Sequence, residues 1–247
     1  MTGTVRQAVR RMELVSAPGV AVAAAEFLCR PRFRRAGGFF SRPEAEGKAQ
    51  QDVLVHAGRL AAAVSLIAGP ERGRVLANGY LAGSGCVLQY RYPHGRDGAD
   101  QMHVFVQAAA ALCGMTRDST VQRSALWFVA GQTALAYFVS GLAKSVSRQW
   151  RDGSALVGVA RTASSGHRRL HAVLSARPAA VKVLSRAVIV LELAFPLVLV
   201  MPRPFASALL GAAKVFHLGT ALAMGLNRFP FAFFAAHEAV RYCARRL

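Results

Sequence analysis

The stretch "SALWFVAGQTALAYFVSGLAK" at residues 124–144 decides the fold class, because its first 20 residues carry no charged side chain. A helix needs roughly 20 mostly apolar residues to cross the hydrocarbon core of a bilayer. The run therefore predicts a transmembrane helix. It ends at Lys144, one of four lysines among the 31 lysine and arginine residues of the chain. The choice of a lysine at this position raises the question of whether it carries chemistry.

Further apolar segments lie on both sides of this run and are separated by short basic segments. Hydropathy and charge breaks place them at about 13–29, 53–69, 75–90, 101–116, 184–202 and 205–227. Several are short for a span, so the sequence predicts between five and seven transmembrane helices. The tail that follows is interpreted as an amphipathic or partly inserted helix. The predicted fold class is all-α, a polytopic helical membrane protein that forms one bundle and a single domain over 1–247.

The basic residues flank the apolar runs. The formal net charge is +19 although only 17% of the 247 residues are charged. Arginines and lysines at the ends of apolar runs hold helices at the lipid headgroups. A nucleic-acid-binding protein would instead collect them on one wet face. The pattern therefore predicts a multi-pass protein of the cell membrane, with membrane lipid and not nucleic acid as its partner. The bias towards arginine and alanine is typical of a GC-rich bacterial genome.

The apolar run at 124–144 carries a polar stripe. At helical spacing, Thr133, Tyr137, Ser140 and Lys144 fall on one side. Such a stripe should face other helices or a wet cavity, and Gly141 beside it would let a neighbour come close. A lysine sheltered from water can release its proton and act as a base, whereas arginine keeps its proton. The alternative is a lysine that reaches the headgroups and caps the helix end.

Glu192 is the only acid in the apolar run "AVIVLELAFPLVLVMP" at residues 187–202. A carboxylate at membrane depth is a functional candidate by default. Pro196 lacks the amide that would bond to the carbonyl of Glu192, which predicts a kink there. The alternative is a structural ion pair with Lys144, Lys214 or an arginine.

Lys214, His217 and Thr220 share a broad face of the last apolar run. A histidine at membrane depth can carry a proton or donate a hydrogen bond to a quinone-like carbonyl, and the alternative is a packed histidine that bonds to a neighbouring helix. His237 has no evident partner. Asp100 is a candidate cap for the segment at 101–116. The four cysteines fit no CxxC motif, and the sequence predicts no metal site.

Three stretches occur in an order that resembles the HTTM superfamily, the membrane domain of the vitamin K-dependent gamma-glutamyl carboxylase and its bacterial relatives. They are "AYFVSGLAKSVSRQWRDGSAL" at 136–156, "ELAFP" at 192–196 and "FHLGTALAMGLNRFPFAFFAA" at 216–236. The resemblance covers roughly residues 97–240 and is best over 136–155 and 214–235.

The resemblance implies a role for each matching residue. Lys144 in "GLAK" matches the family's base on reduced vitamin K, so a reduced quinone is the implied cofactor. Phe216 and His217 match the F-H pair on the quinone side of the family's site, and Trp150 and Gly153 match a tryptophan and a glycine of the following loop.

In the family, the deprotonated hydroquinone reacts with oxygen to form a strong base. That base removes a proton from a glutamate side chain, to which carbon dioxide then adds. The carboxylase has a second lysine beside its catalytic one, where this chain has Ala143.

Three functions are weighed. The first is a quinone-dependent, carboxylase- or epoxidase-like enzyme that acts on a peptide or small substrate. In it Lys144 is the base, His217 orients the quinone and Glu192 tunes the lysine, while Tyr137, Gly141, Trp150 and Phe216 line the cofactor site. The second is a non-catalytic membrane partner in the maturation or assembly of a secreted peptide. The third is a proton pathway or small transporter built on Glu192, His217 and Lys214, which the lack of an inverted repeat and of paired broken helices disfavours.

Overall fold

The computed structural model describes residues 4–29, 49–92, 97–162 and 168–244, and these ranges contain helices and no strand. The all-α prediction is therefore confirmed. The α-helices, labelled in chain order, are α1 (Val5–Cys29), α2 (Ala49–Ala68), α3 (Glu71–Arg91), α4 (Gly98–Met115), α5 (Ser119–Val146), α6 (Arg148–Asp152), α7 (Ser154–Val159), α8 (Arg168–Ser175), α9 (Pro178–Ala194), α10 (Arg203–Met224) and α11 (Arg228–Cys243). A 3₁₀ helix, Phe195–Leu199, continues α9.

Among the described residues, four helices are long and apolar enough to cross a membrane, namely α1, α2 from Gln50 onward, α5 and α10. The protein is thus a helical membrane protein, and the predicted count of five to seven spans is approximate. The longest helix is α5, which at 28 residues is about 42 Å long and exceeds the hydrocarbon thickness. It begins where the Asp118 carboxylate accepts a hydrogen bond from the Thr120 amide at 2.7 Å.

Helix α11 lies at the centre of the bundle and packs against α1, α4, α5 and α10. Its small residues Ala232, Ala235, Ala236 and Ala239 are fully buried, because alanine lets neighbouring backbones approach closely. The tail is therefore not an amphipathic helix with one face in solvent, because no residue of α11 is exposed, while its partial insertion into the membrane stays a prediction. Its histidine and its acid have partners on other helices, Tyr137 of α5 and Arg11 of α1.

Charged side chains fix the N-termini of α4 and α11. Asp97 caps α4 by accepting hydrogen bonds from the amides of Ala99 at 3.0 Å and Asp100 at 3.1 Å. Asp100 was the predicted cap, but it is the second member of this capping box. Arg228 at the start of α11 donates to Asp100 at 2.8 Å and to Asp97 at 3.4 Å. The first turns of α4 and α11 are thereby held together.

Helix α9 changes geometry at the expected place. The α-helix ends at Ala194, and the next five residues, Phe195–Leu199, form the 3₁₀ helix. Pro196 cannot donate to the Glu192 carbonyl, which explains why the α-helical ladder stops there. Phe195 and Val198 of this turn are fully buried in the main core. The transition therefore seats an aromatic ring in the bundle directly after Glu192.

Candidate functional site

The polar stripe of α5 faces the protein interior. Thr133 is fully buried and donates to the Val129 carbonyl at 2.7 Å, and Tyr137 is 3% exposed. Phe128 and Phe138, which are off the stripe, are largely exposed. Helices α9, α10 and α11 all supply side chains that meet the stripe.

Lys144 and Glu192 form an ion pair between α5 and α9. The ammonium nitrogen Nζ donates to both carboxylate oxygens at 2.8 Å and also to the Ser140 hydroxyl. The Ser140 hydroxyl lies 3.3 Å from Glu192 Oε1 and donates to it. The side chains of Lys144 and Glu192 are only 16% and 4% exposed. Of the partners considered for Glu192, the structure therefore selects Lys144, which is sheltered and does not extend into solvent.

A close approach of two backbones makes this pair possible. A Cβ atom added to Gly141 would lie 2.9 Å from both the Glu192 Cβ and the Leu193 amide nitrogen. No residue larger than glycine fits this contact without movement of one helix. Gly141 thus sets the distance between α5 and α9 at the level of the ion pair.

Trp150 covers the ion pair from α6, the short helix that follows α5. Its ring centroid lies 4.9 Å from Lys144 Nζ, in the range of a cation–π contact. The Trp150 carbonyl accepts a hydrogen bond from Ser185 of α9. At Gly153 the backbone has φ +90°, and an added Cβ would lie 3.0 Å from Lys182 Cα, so glycine is needed for both its conformation and its size. The segment from Trp150 to Gly153 therefore packs against α9 and keeps the Trp150 ring next to Lys144.

A second polar group lies about two turns from Lys144 along α5, towards the middle of the helix. The Tyr137 hydroxyl is 2.6 Å from His217 Nε2 and 3.1 Å from His237 Nε2. A phenol has a single hydrogen to donate, so it donates to one imidazole and accepts from the other. His217 and His237 are 3% and 1% exposed. His237, for which the sequence indicated no partner, is a member of this group and was missed.

Aromatic rings enclose the tyrosine and the histidines. Phe195 stacks on Tyr137 with centroids 3.8 Å apart and planes at 17°, and Phe233 stacks on His217 at 4.2 Å and 22°. The predicted residue Phe216 contacts the ring of its sequence neighbour His217 at 5.1 Å and 54°. The ring that covers the imidazole is thus Phe233. The aromatic cluster "RFPFAFF" at 228–234 was the available signal for it.

The two polar groups are adjacent but separate. Helix α5 presents Tyr137 and Lys144 about two turns apart on one side, and α9 presents Glu192 and Phe195 about one turn apart against them. In the described part of the chain, no hydrogen bond joins the Lys144 group to the Tyr137 group. Lys214 belongs to neither, since its ammonium lies 5.7 Å from the Phe234 centroid. Among the described residues, this arrangement gives no continuous chain of hydrogen bonds that could carry a proton from Lys214 to Glu192.

The histidines have unused hydrogen-bonding atoms. The Nδ1 atoms of His217 and His237 are both buried and have no hydrogen-bond partner within the described ranges. Buried polar groups are normally paired, so each of these two nitrogens retains the capacity for one further hydrogen bond. Imidazole nitrogens beside stacked aromatic rings fit the carbonyl or hydroxyl oxygens and the flat ring of a quinone-type molecule. The residues present therefore fit the implied cofactor.

The same ranges hold no group of three histidine, cysteine, aspartate or glutamate side chains that could bind a metal ion. The chemically active side chains of the two polar groups are therefore one lysine–carboxylate pair, one phenol and two imidazoles. Such groups bind, orient and transfer protons.

The comparison with known proteins gives one match. No curated protein and no solved structure matches the chain. The family model described as the HTTM domain matches residues 101–242, close to the 97–240 expected from the motifs. The match includes both polar groups and spans more than half of the chain. The chain therefore belongs to the HTTM domain family of membrane proteins, which is the vitamin K-dependent carboxylase-like family.

Proposed function

We propose that this protein is an enzyme of the cell membrane that removes a proton from a lipid-soluble reduced quinone. The deprotonated quinone is then used to modify a peptide or small substrate. The observation that carries the proposal is the sheltered Lys144–Glu192 pair beside the buried Tyr137, His217 and His237. A base sheltered from water beside buried aromatic side chains suits the deprotonation of a quinol.

The lysine and the glutamate act as a unit. In a medium of low polarity, the pair can exist as ammonium and carboxylate or, after transfer of one proton, as neutral amine and carboxylic acid. In the second form the Lys144 amine takes the proton from the hydroxyl group of the reduced quinone. The pair then carries one positive charge, which balances the negative charge left on the substrate. The Ser140 hydroxyl accepts a hydrogen bond from the nitrogen, and the Trp150 ring adds a cation–π contact whenever the nitrogen is charged.

The histidines and aromatic rings would hold the cofactor. The Nδ1 atoms of His217 and His237 would bind its oxygens, and Phe195 and Phe233 would line its ring face. When bound, a reduced quinone supplies an ionisable ring hydroxyl and the reducing electrons that react with oxygen. Tyr137 keeps the two imidazoles in a fixed relation, so that a bound ring would be oriented towards α5 and α9.

The test uses purified protein in nanodiscs with added menaquinol. Binding is measured by the quinone retained after washing, and turnover by oxygen uptake. Lys144→Arg keeps a cation for Glu192 but cannot act as a base, so oxygen uptake should fall by roughly 100-fold or more while menaquinol is still retained. Lys214→Arg makes the same chemical change at a lysine outside both groups, and its uptake should match that of the wild type.

Two results would overturn the proposal. One is a wild type that retains no menaquinol. The other is a Lys144→Arg protein with full oxygen uptake, since Lys144 would then serve only to join α5 to α9. A protein in which both Lys144→Arg and His217→Gln are tolerated would instead fit a non-catalytic partner in the maturation of a secreted peptide.

A further inference from the structure

An open cavity of about 1120 Å³ lies at the end of α5 opposite Lys144. It is formed by the first turns of α1 and α3 and by the connection from α4 to α5. Five arginines and two glutamates line it together with apolar side chains. The charged residues are Arg6, Arg10, Arg72, Arg74, Arg117, Glu13 and Glu71.

Two of these arginines are held rigidly in the wall. The carboxylate of Glu13, which is 4% exposed, accepts hydrogen bonds from Arg74 at 2.8 Å, Asn78 at 2.9 Å and Arg10 at 3.2 Å. Arg10 also donates to the Leu66 and Ile67 carbonyls at the end of α2. One buried carboxylate thus anchors two guanidinium groups, and positive charge remains at the wall.

The other three arginines carry charge that the protein leaves nearly uncompensated. The side chains of Arg72 and Arg117 are exposed and make no hydrogen bond or ion pair within the part of the chain that the structure describes. Arg6 lies 3.7 Å from Glu71, but these side chains are 84% and 61% exposed, so their attraction is weak. The planar guanidinium group matches the oxygens of a phosphate better than any other side chain.

The position of the cavity suits the membrane surface. The candidate span of α1 begins at Val5, and that of α5 begins at Ser119, two residues after Arg117. The arginines therefore lie where these spans leave the hydrocarbon, which is the level of lipid phosphates. Val9, Val75 and Leu76 add apolar surface to the same cavity, and ligand sites typically combine such surface with a few polar groups.

We infer that this cavity binds a phosphate ester, with Arg72 and Arg117 as its exposed donors and Arg10 and Arg74 as its fixed wall. The membrane surface points to the headgroup of an anionic phospholipid as the source of that phosphate. A soluble phosphorylated compound would present the same chemistry. The site is separate from the proposed quinone site, so either proposal can fail without the other.

The experiment measures lipid retention by native mass spectrometry of the full-length protein. The protein is delipidated and titrated with phosphatidylglycerol or, separately, with phosphatidylcholine. The wild type should retain one phosphatidylglycerol per chain at concentrations where phosphatidylcholine is lost. The double variant Arg72→Gln/Arg117→Gln should weaken that retention by about tenfold or more, because the phosphate then loses two charge-assisted hydrogen bonds.

The matched control is Arg161→Gln/Arg203→Gln. Both arginines are exposed, and neither lines the cavity, yet the change in net charge is identical. This control should retain phosphatidylglycerol as the wild type does. Equal losses in the two double variants would overturn the inference, since the lipid would then respond only to overall charge.

A second arm identifies the source of the phosphate. Glycerol 3-phosphate is added at increasing concentration, and its protection of the protein against heat is measured in neutral detergent. Suppose that glycerol 3-phosphate protects the wild type but not Arg72→Gln/Arg117→Gln, and that no phospholipid is retained selectively. The cavity is then assigned to a soluble ligand. If neither lipid nor glycerol 3-phosphate binds in a manner that depends on Arg72 and Arg117, the inference is wrong.

Discussion

Gly141 of α5 and Glu192 of α9 meet with no space between them: a methyl group on Gly141 would lie 2.9 Å from the Glu192 Cβ. Lys144 lies almost one turn further along α5 and reaches back to the Glu192 carboxylate. The ion pair thus depends on a backbone contact that only glycine permits. This relationship links a packing position in the helix interface to the chemistry proposed for the lysine.

Gly141→Val should separate α5 from α9 and break the ion pair. Overpacking in a tight interface typically costs about 1–3 kcal/mol, so the temperature of thermal unfolding in detergent should fall by several degrees. Gly131→Val is the control. Gly131 lies on the same helix, but a Cβ atom added there would have no neighbouring atom within 4 Å. An equal loss of stability in both variants would show that helix propensity, and not the contact with Glu192, sets the cost.

Lys144→Met should leave the Glu192 carboxylate buried without its cation and destabilise the protein by about 3 kcal/mol or more. The double variant Lys144→Met/Glu192→Met replaces both charges by apolar groups and should recover most of that loss. Thermal unfolding of the two single variants and the double variant gives the coupling energy. Glu71→Gln is the comparison for an exposed pair and should change stability by less than about 1 kcal/mol. Additive single effects would contradict the pairing.

Most of the fold could be predicted from hydropathy, because apolar runs bounded by charges mark helices that cross or line a membrane. The run at 124–144 became α5, with both ends extended by a few residues. The place of α11 could not be predicted in this way. His237 and Glu238 reduce its apolarity, but their partners Tyr137 and Arg11 lie on α5 and α1. Hydropathy measures a segment alone and does not register such partners.

The site was predictable on one helix and not between helices. Spacing alone put Tyr137, Ser140 and Lys144 on one stripe, and the structure turns that stripe inward. The pairing of Lys144 with Glu192 depends on the relative shift of α5 and α9, which no local pattern encodes. The meeting of His217 with His237 depends in the same way on how α10 and α11 pack.

Tyr137→Phe should leave two buried imidazole nitrogens without their shared hydroxyl. The loss of a buried hydrogen-bond partner costs about 1–3 kcal/mol, and the stacking on Phe195 is kept, so the change isolates the hydroxyl. Tyr80→Phe removes an exposed hydrogen bond to the Val55 carbonyl and should cost less than about 1 kcal/mol. The measurement is thermal unfolding in detergent. If Tyr137→Phe is as mild as Tyr80→Phe, the hydroxyl does not hold the two histidines together.

The two ends of α5 should lie on opposite sides of the membrane, since its length of about 42 Å exceeds a hydrocarbon core of about 30 Å. The exposed cysteines Cys29 and Cys86 are first replaced by serine, while Cys113 and Cys243 are buried and can remain. Ser119→Cys and Gln149→Cys then place one exposed thiol at each end.

In sealed vesicles of one orientation, a membrane-impermeant maleimide should label Ser119→Cys and Gln149→Cys from opposite sides. Because Arg117 precedes α5 and Lys144 lies in its last turn, this result would put the arginine-lined cavity and the lysine–glutamate pair at opposite membrane surfaces. Labelling of both thiols from one side would mean that α5 does not cross the bilayer. In that case neither the proposed lipid site nor the sheltered base would have the membrane position argued for it.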